Sequence, residues 1–243
     1  AATPISTQTS FIQAPVAPTV SLTNPINIAN VNAVAISGTG QANAVVAYKI
    51  TDGTNQIITG TGTVAGSGTI SIQNINAGSL SDGTLTLSVN LTDSAGNTGV
   101  SGTDTANKDT VAPTLSPVTI ASNNANTAYA KTGNNVNISF TSSEPLSGLP
   151  AVTISGNNAD AVNNPSGNSY NATRVMQAGD TEGAIAFTIS FTDTAGNAGT
   201  QATATTDSSS VIYDKTNPSV TLTAPNGGEF LKGSSTYTIA WTA

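Results

Sequence analysis

Thr84-Leu85-Thr86-Leu87-Ser88-Val89-Asn90-Leu91-Thr92-Asp93-Ser94-Ala95-Gly96-Asn97-Thr98-Gly99 holds two signals in one run. Its first nine residues alternate apolar with polar, the period of a strand with one buried and one wet face. Its last seven collect Asp, Gly and Asn, whose short side chains and tolerance of positive φ make turns. The run recurs a hundred residues on. Ile185, Phe187, Ile189 and Phe191 alternate with Ala186, Thr188, Ser190 and Thr192, and Asp193-Thr194-Ala195-Gly196-Asn197-Ala198-Gly199 closes the copy. Val136, Ile138 and Phe140 keep the same period against Asn137, Ser139 and Thr141.

Working outward, each copy leads to a proline joint. Asp109-Thr110-Val111-Ala112-Pro113 and Asp214-Lys215-Thr216-Asn217-Pro218 follow the two turns, and Ala14-Pro15-Val16-Ala17-Pro18 precedes the first unit. Proline fixes φ and pushes the preceding residue towards extended conformations, so these joints are stiff. They divide the chain into an extended Ser/Thr/Pro-rich segment 1–17, units 18–110 and 111–216, and a remainder 217–243. The alternation predicts strands near 19–23, 33–38, 44–51, 56–64, 69–73, 84–92 and 98–106. In the second unit it predicts 117–121, 135–141, 151–155, 159–163, 168–175, 184–192 and 199–206. Seven short strands per hundred residues point to an all-β protein of tandem immunoglobulin-like β-sandwich domains in a linear array.

Composition narrows the chemistry. The 243 residues include no Cys and no His, and only 8% are charged, against about 25% in ordinary domains. A zinc site of the usual kind, a Ser–His–Asp triad and a thiol nucleophile are therefore excluded, and no catalytic residue is expected. Six basic residues against thirteen acidic ones, a net charge of −7, argue against nucleic acid or an anionic membrane as partner. No apolar run reaches the ~18 residues of a membrane span. The absence of an opening signal-peptide pattern suggests a mature form or an internal fragment. More than a third of the residues are Thr, Ser or Asn, which, with few lysines, suits a secreted protein.

The Thr-Asp-x-Ala-Gly-Asn turns at 92–97 and 192–197, with Asp-x-x-x-Pro at 109–113 and 214–218, resemble tandem bacterial immunoglobulin-like repeats of large extracellular adhesins, biofilm proteins and surface-layer proteins. Ala130-Lys131-Thr132-Gly133, Ser143-Glu144-Pro145 and Asp180-Thr181-Glu182-Gly183-Ala184 extend the likeness, which covers about residues 18–218. Ala224-Pro225-Asn226-Gly227-Gly228-Glu229 and Tyr237-Thr238-Ile239-Ala240-Trp241-Thr242 look like the opening strands of another surface-associated sandwich. The resemblance implies a non-catalytic stalk on the cell surface. Its partners would be neighbouring domains of the same chain or copies of itself, and its target a host or matrix surface. An accessory binding module of a secreted enzyme is a further alternative.

Strand parity locates the carboxylates. In a seven-strand sandwich the loops after the second and sixth strands share the pole at which the chain comes in. In the second unit that pole holds Glu144 and Asp193 to Asn197, next to the incoming Asp109, while Asp52 and Asp82 face it from the first unit. Grouped carboxylates with amide oxygens are the hard ligands Ca²⁺ prefers, and the resemblance implies calcium at such joints. The expected ligands are Asp109, Glu144, Asp193, Asn197, Asp52 and Asp82. The same residues also serve as ordinary turn caps.

Further readings rest on less. Asn90, Asn137 and Asn171 head Asn-x-Ser/Thr sequons. Asp180 and Glu182 are the pair a glycosidase reading would need, and Lys131 near Glu144 would suit an isopeptide crosslink. Val220, Leu222, Ile239 and Trp241 lie on strands with no sheet of their own. An orphan strand seeks an edge, so these residues are candidates for strand exchange in a self-assembling filament or surface layer.

Overall fold

The computed structural model describes residues 13–225, 227–228, 232–233 and 236–242, and among them none is helical. The first half builds β1 (Thr19–Leu22), β2 (Val34–Thr39), β3 (Val45–Thr51), β4 (Ile57–Thr63), β5 (Thr69–Ile75), β6 (Gly83–Thr92) and β7 (Gly102–Lys108). They form a three-stranded sheet in the order β1-β2-β5 and a four-stranded sheet in the order β4-β3-β6-β7, each pairing antiparallel. Leu85, Leu87, Val89 and Leu91, one side of the opening stretch, are fully buried between the sheets. Burying a side chain of this size contributes about 1.5–3 kcal/mol, so β6 alone is a large part of this core.

The second half begins with β8 (Leu115–Ser122), β9 (Tyr129–Ala130), β10 (Asn135–Ser142) and β11 (Ala151–Ile154). It continues with β12 (Asn157–Asn158), β13 (Ala161–Ser166), β14 (Ser169–Val175), β15 (Gly183–Ala184), β16 (Phe187–Ser190) and β17 (Ile212–Tyr213). Its sheets run β13-β14-β10-β8, β12-β11-β16 and β15-β17-β9. The fourth-strand region thus behaves differently in the two halves. In the first, β4 stays beside β3 along its length. In the second, Ser155 and Gly156, both at positive φ, make a tight hairpin that gives only the two-residue β12. The chain then crosses at Asp160, whose N–H donates to Thr173 O at 2.8 Å, and β13 joins β14 in the other sheet.

Each half has its own apolar cluster. One runs from Leu22 to Ala106 and the other from Val118 to Tyr213. In the second, Phe140 and Tyr170 stack at 5.6 Å across neighbouring strands. Both halves are β-sandwiches of immunoglobulin-like pattern.

Two strand expectations are corrected. Residues 199–206 form no continuous strand. Ala202 exchanges backbone hydrogen bonds with Ile189, and the chain then leaves that sheet for β8, where Thr206 N donates to Val118 O and Thr206 Oγ1 accepts from Val118 N. With Ala and Thr alone in 202–206, no apolar row holds it against one sheet. The closing strand is instead β17, which pairs parallel to β9, and neither two-residue element has a readable period. The remainder after 217 forms β18 (Thr221–Ala224) and β19 (Ala240–Thr242), which pair with each other, Leu222 opposite Trp241. Asn226 and Glu229 lie outside the described residues. So do residues 1–12, while Pro15 and Pro18 are buried against the first sandwich. A Cβ on Gly99 would meet Pro15 O, and one on Gly102 would meet Pro18 O, so that close approach requires glycine at both places.

Candidate metal centre

The two repeat turns are built alike. In the first, Asp93 N donates to Asn97 O at 3.0 Å, Asp93 Oδ1 accepts from the N–H of Ala95 and of Asn97, and Asn97 Nδ2 donates to Asp93 Oδ2. In the second, Asp193 N donates to Asn197 O at 3.0 Å, and Asp193 accepts from Asn197 N and Nδ2, both at 2.8 Å. The glycines between sit at positive φ. The motif is therefore turn chemistry wherever it stands.

The second turn has more neighbours. One carboxylate oxygen each of Asp109, Glu144 and Asp193 lies within 4.8 Å of the others, with Asp193 buried and the other two half-buried. Asp109 comes from the connection between the sandwiches, where its Oδ1 accepts from Val111 N. Glu144 follows β10, where Ser142 Oγ donates to Glu144 O. Burial first, then the charges of Asp109 and Asp193 and a hydrogen bond with Asp109, push the Glu144 carboxyl above its usual value. Ca²⁺ holds oxygens at about 2.3–2.6 Å, so ligands on opposite sides of one ion are about 4.8 Å apart. Three oxygens at the observed spacing fit one coordination sphere.

Three expected ligands are differently employed. Asn197 is 2% exposed, and its Oδ1 accepts from Ile28 N at 2.8 Å while Nδ2 donates to Asp193 Oδ2 and to Asp109 O. It braces the Asp193 carboxylate and the backbone at Asp109. Asp52 closes its own hairpin, taking the N–H groups of Thr54, Gln56 and Ser81, with the Ser81 bond chief among the causes that hold its carboxyl well below the usual range. Asp82 pairs with the buried Lys108 ammonium and with Thr110 N and Oγ1. It clamps the outgoing chain without joining the acidic group.

Glu182 repeats the Asp82 clamp in the second sandwich, accepting from Lys215 N and Thr216 Oγ1. Asp180 pairs with Arg174, so each member of the glycosidase pair makes bonds within its own sandwich. Lys131 lines a groove with Asp214, Lys215 and Thr216, away from the Glu144 group. The sequon residues sit inside strands. Asn90 donates to Gly99 O and accepts from Ser101, Asn137 donates to Ser139 Oγ, and Asn171 accepts from Asn163 Nδ2.

The sequence reading did not find Asn27 and Ile28. They lie in the turn after β1 and reach the second sandwich, Asn27 Nδ2 donating to Ala195 O at 2.8 Å. The signal available was the spacing Asn27-x-x-Asn30, matched by Lys131-x-x-Asn134.

No family model and no curated protein matches the chain. Solved structures do. One, from work on a Ca²⁺-stabilised adhesin that helps an Antarctic bacterium reach out and bind ice, has a TM-score of 0.50 at 22% identity and covers 85% of this chain and 51% of its own. A bacterial ice-binding adhesin studied for host cell surface retention gives 0.48 at 21%, covering 84% and 66%. A tetra-tandem repeat in the extending region of a large adhesion protein gives 0.36 at 24%, covering 86% and 52%. The chain thus spans half to two thirds of these solved chains, and the likeness at such identities is one of fold.

Proposed function

We propose that residues 18–110 and 111–216 are two domains of a non-catalytic stalk in a secreted cell-surface repeat protein of adhesin type, with Ca²⁺ at their joint. The observation that carries this reading is the meeting of Asp109, Glu144 and Asp193 where the chain passes from one sandwich to the other. Packed β-sandwiches resist extension, and a cation shared by the connecting segment and the second sandwich restricts the remaining freedom. The Ca²⁺-stabilised adhesin, at a TM-score of 0.50, shares the fold and supports the same use of it. Titration calorimetry tests the site. The full chain is expected to bind one Ca²⁺ at the joint, with Kd at or below the 10⁻⁴–10⁻³ M of extracellular modules, and Asp193→Asn is expected to abolish it. Equal heats from wild type and variant, or none from either, remove the metal.

A second reading, self-assembly through the closing strands, is favoured by the β18–β19 ribbon. Leu222 and Trp241 face each other across it yet remain 48% and 62% exposed, and Val220 and Ile239 are exposed beside them. A two-stranded ribbon is marginal alone, and a second copy adding a strand would cover it. Trp241 is the single tryptophan, so its fluorescence reports directly. Self-assembly predicts a blue shift with rising protein concentration that Leu222→Thr removes. A concentration-independent, solvent-exposed emission with a single sedimenting monomer rejects it.

A further inference from the structure

We propose that Asn27 and Ile28 form a lock that fixes the first sandwich on the second without any cation. The lock is a specificity device for this pair of domains. The root of the loop is anchored in the first sandwich, since Ile26 is fully buried, its N–H donates to Asn107 O, and its carbonyl accepts from Asp109 N. The loop beyond is stiffened from within. Asn27 N donates to Asn30 Oδ1 at 2.8 Å, Asn27 Oδ1 accepts from Ala29 N and Asn30 N, and Val31 N donates to Asn27 O. These bonds leave the Asn27 amide nitrogen and the Ile28 N–H as outward donors.

Both donors are met by the second sandwich. Asn27 Nδ2 reaches Ala195 O and Ile28 N reaches Asn197 Oδ1, each at 2.8 Å. The fit is close, because a Cβ on Gly196 would stand 3.0 Å from Asn27 Nδ2. The first sandwich supplies an internal comparison. Its Asp93–Asn97 turn has the same backbone bonds, yet Ala95 is exposed and Asn97 half-buried where Ala195 and Asn197 are buried. The docked loop covers the second turn together with the connecting segment, whose Asp109 O and Val111 O meet Asn197 Nδ2.

Another comparison shows that the loop's shape is general and its donor is not. In the second sandwich Lys131 N donates to Asn134 Oδ1 at 2.8 Å and Asn134 N to Lys131 O at 2.9 Å, the bonds that join Asn27 and Asn30. There the first residue is an exposed lysine. An amide of fixed reach selects a carbonyl in one orientation, whereas a long flexible ammonium does not. Asn197 also ties the lock to the carboxylates. Its oxygen takes Ile28 N while its nitrogen holds Asp193 Oδ2 and Asp109 O. Orientation of the domains and placement of Asp193 therefore change together.

Pulsed dipolar spectroscopy on the full chain tests the lock, since the protein has no native cysteine. Thr61→Cys and Asn158→Cys, both exposed, place one spin label on each sandwich. In chelator, the otherwise wild-type protein is expected to give one narrow distance distribution. Asn27→Asp keeps the acceptor that shapes the loop but removes the donor, and Asn27→Ser replaces the amide with a shorter hydroxyl that does not span to Ala195 O, without adding charge. Each is expected to at least double the width, with both sandwiches melting as before, while Asn97→Ala leaves it narrow. Widths unchanged in both Asn27 variants, or a wild-type distribution as broad as theirs in chelator, would overturn the proposal. Calcium binding, read separately by calorimetry, does not enter this comparison.

Discussion

Asp180→Ala is expected to destabilise the second sandwich by roughly 3–5 kcal/mol, and Arg174→Met by a similar amount, because each leaves a buried charge without its partner. The pair is bidentate, Arg174 NH1 to Asp180 Oδ2 at 2.7 Å and NH2 to Oδ1 at 2.9 Å, and both side chains are buried. Asp180 also accepts from Gln177 N at 2.7 Å, so the carboxylate anchors the loop between β14 and β15. Replacing both residues together by Met and Leu is expected to recover much of the loss, as apolar groups of similar volume need no partner. Urea denaturation followed by circular dichroism measures all three, and single variants within 1 kcal/mol of wild type would contradict the assignment. The hydrogen bond from Arg174 is the chief cause that holds the Asp180 carboxyl below its usual value. A depressed carboxyl contributes stability that is present above its unfolded value and lost as pH falls through the folded one. The second sandwich is therefore expected to weaken below about pH 4, and Asp180→Ala to show less of this acid sensitivity.

What could be read in advance follows the physics of each segment. β6 and β10 lie between other strands and against a core, so their buried faces repeat every second residue and were plain in Leu85 to Leu91 and Val136 to Phe140. β9, β13 and β17 were missed or misplaced. Two residues have no period, and β13 lies at a sheet edge with most of its residues exposed. Its place was decided by the tight Ser155-Gly156 turn, a tertiary consequence of a local dipeptide. The pole argument brought Asp109, Glu144 and Asp193 into one neighbourhood because strand parity alone determines which loops meet. Parity says nothing of what a carboxylate does on arrival. Asp52 is consumed by backbone N–H groups two and four residues on, and Asp82 by a lysine that the alternation of β7 turns inward. Asn27 escaped notice because its contact is made by an amide and a carbonyl, and neither type is distinctive in a chain so rich in asparagine.

Glu144→Gln is expected to reverse its effect on stability according to whether calcium is present. Without the ion, Glu144 stands against two other carboxylates in a half-buried site, and its carboxyl is raised. A raised carboxyl contributes stability that is present below its unfolded value and lost as pH rises through the folded one. At pH 7 in chelator the variant is accordingly expected to melt above wild type, and near pH 4 the two are expected to converge. With Ca²⁺ the order inverts. A ligand that binds only the folded state at a hundredfold excess over its Kd stabilises by about 2.7 kcal/mol, roughly 13 °C for a domain of about a hundred residues. The wild type is expected to gain that shift, while the glutamine, a weaker neutral donor, gains a small fraction of it. Differential scanning calorimetry in chelator and in Ca²⁺ at the two pH values reads the crossing. Parallel shifts in the two proteins would place any bound ion away from Glu144. An ionic-strength control with Na⁺ that reproduced the wild-type gain would reduce the effect to screening of three like charges, because a bound ion, unlike screening, requires Glu144 as a ligand and works at concentrations too low to change the Debye length.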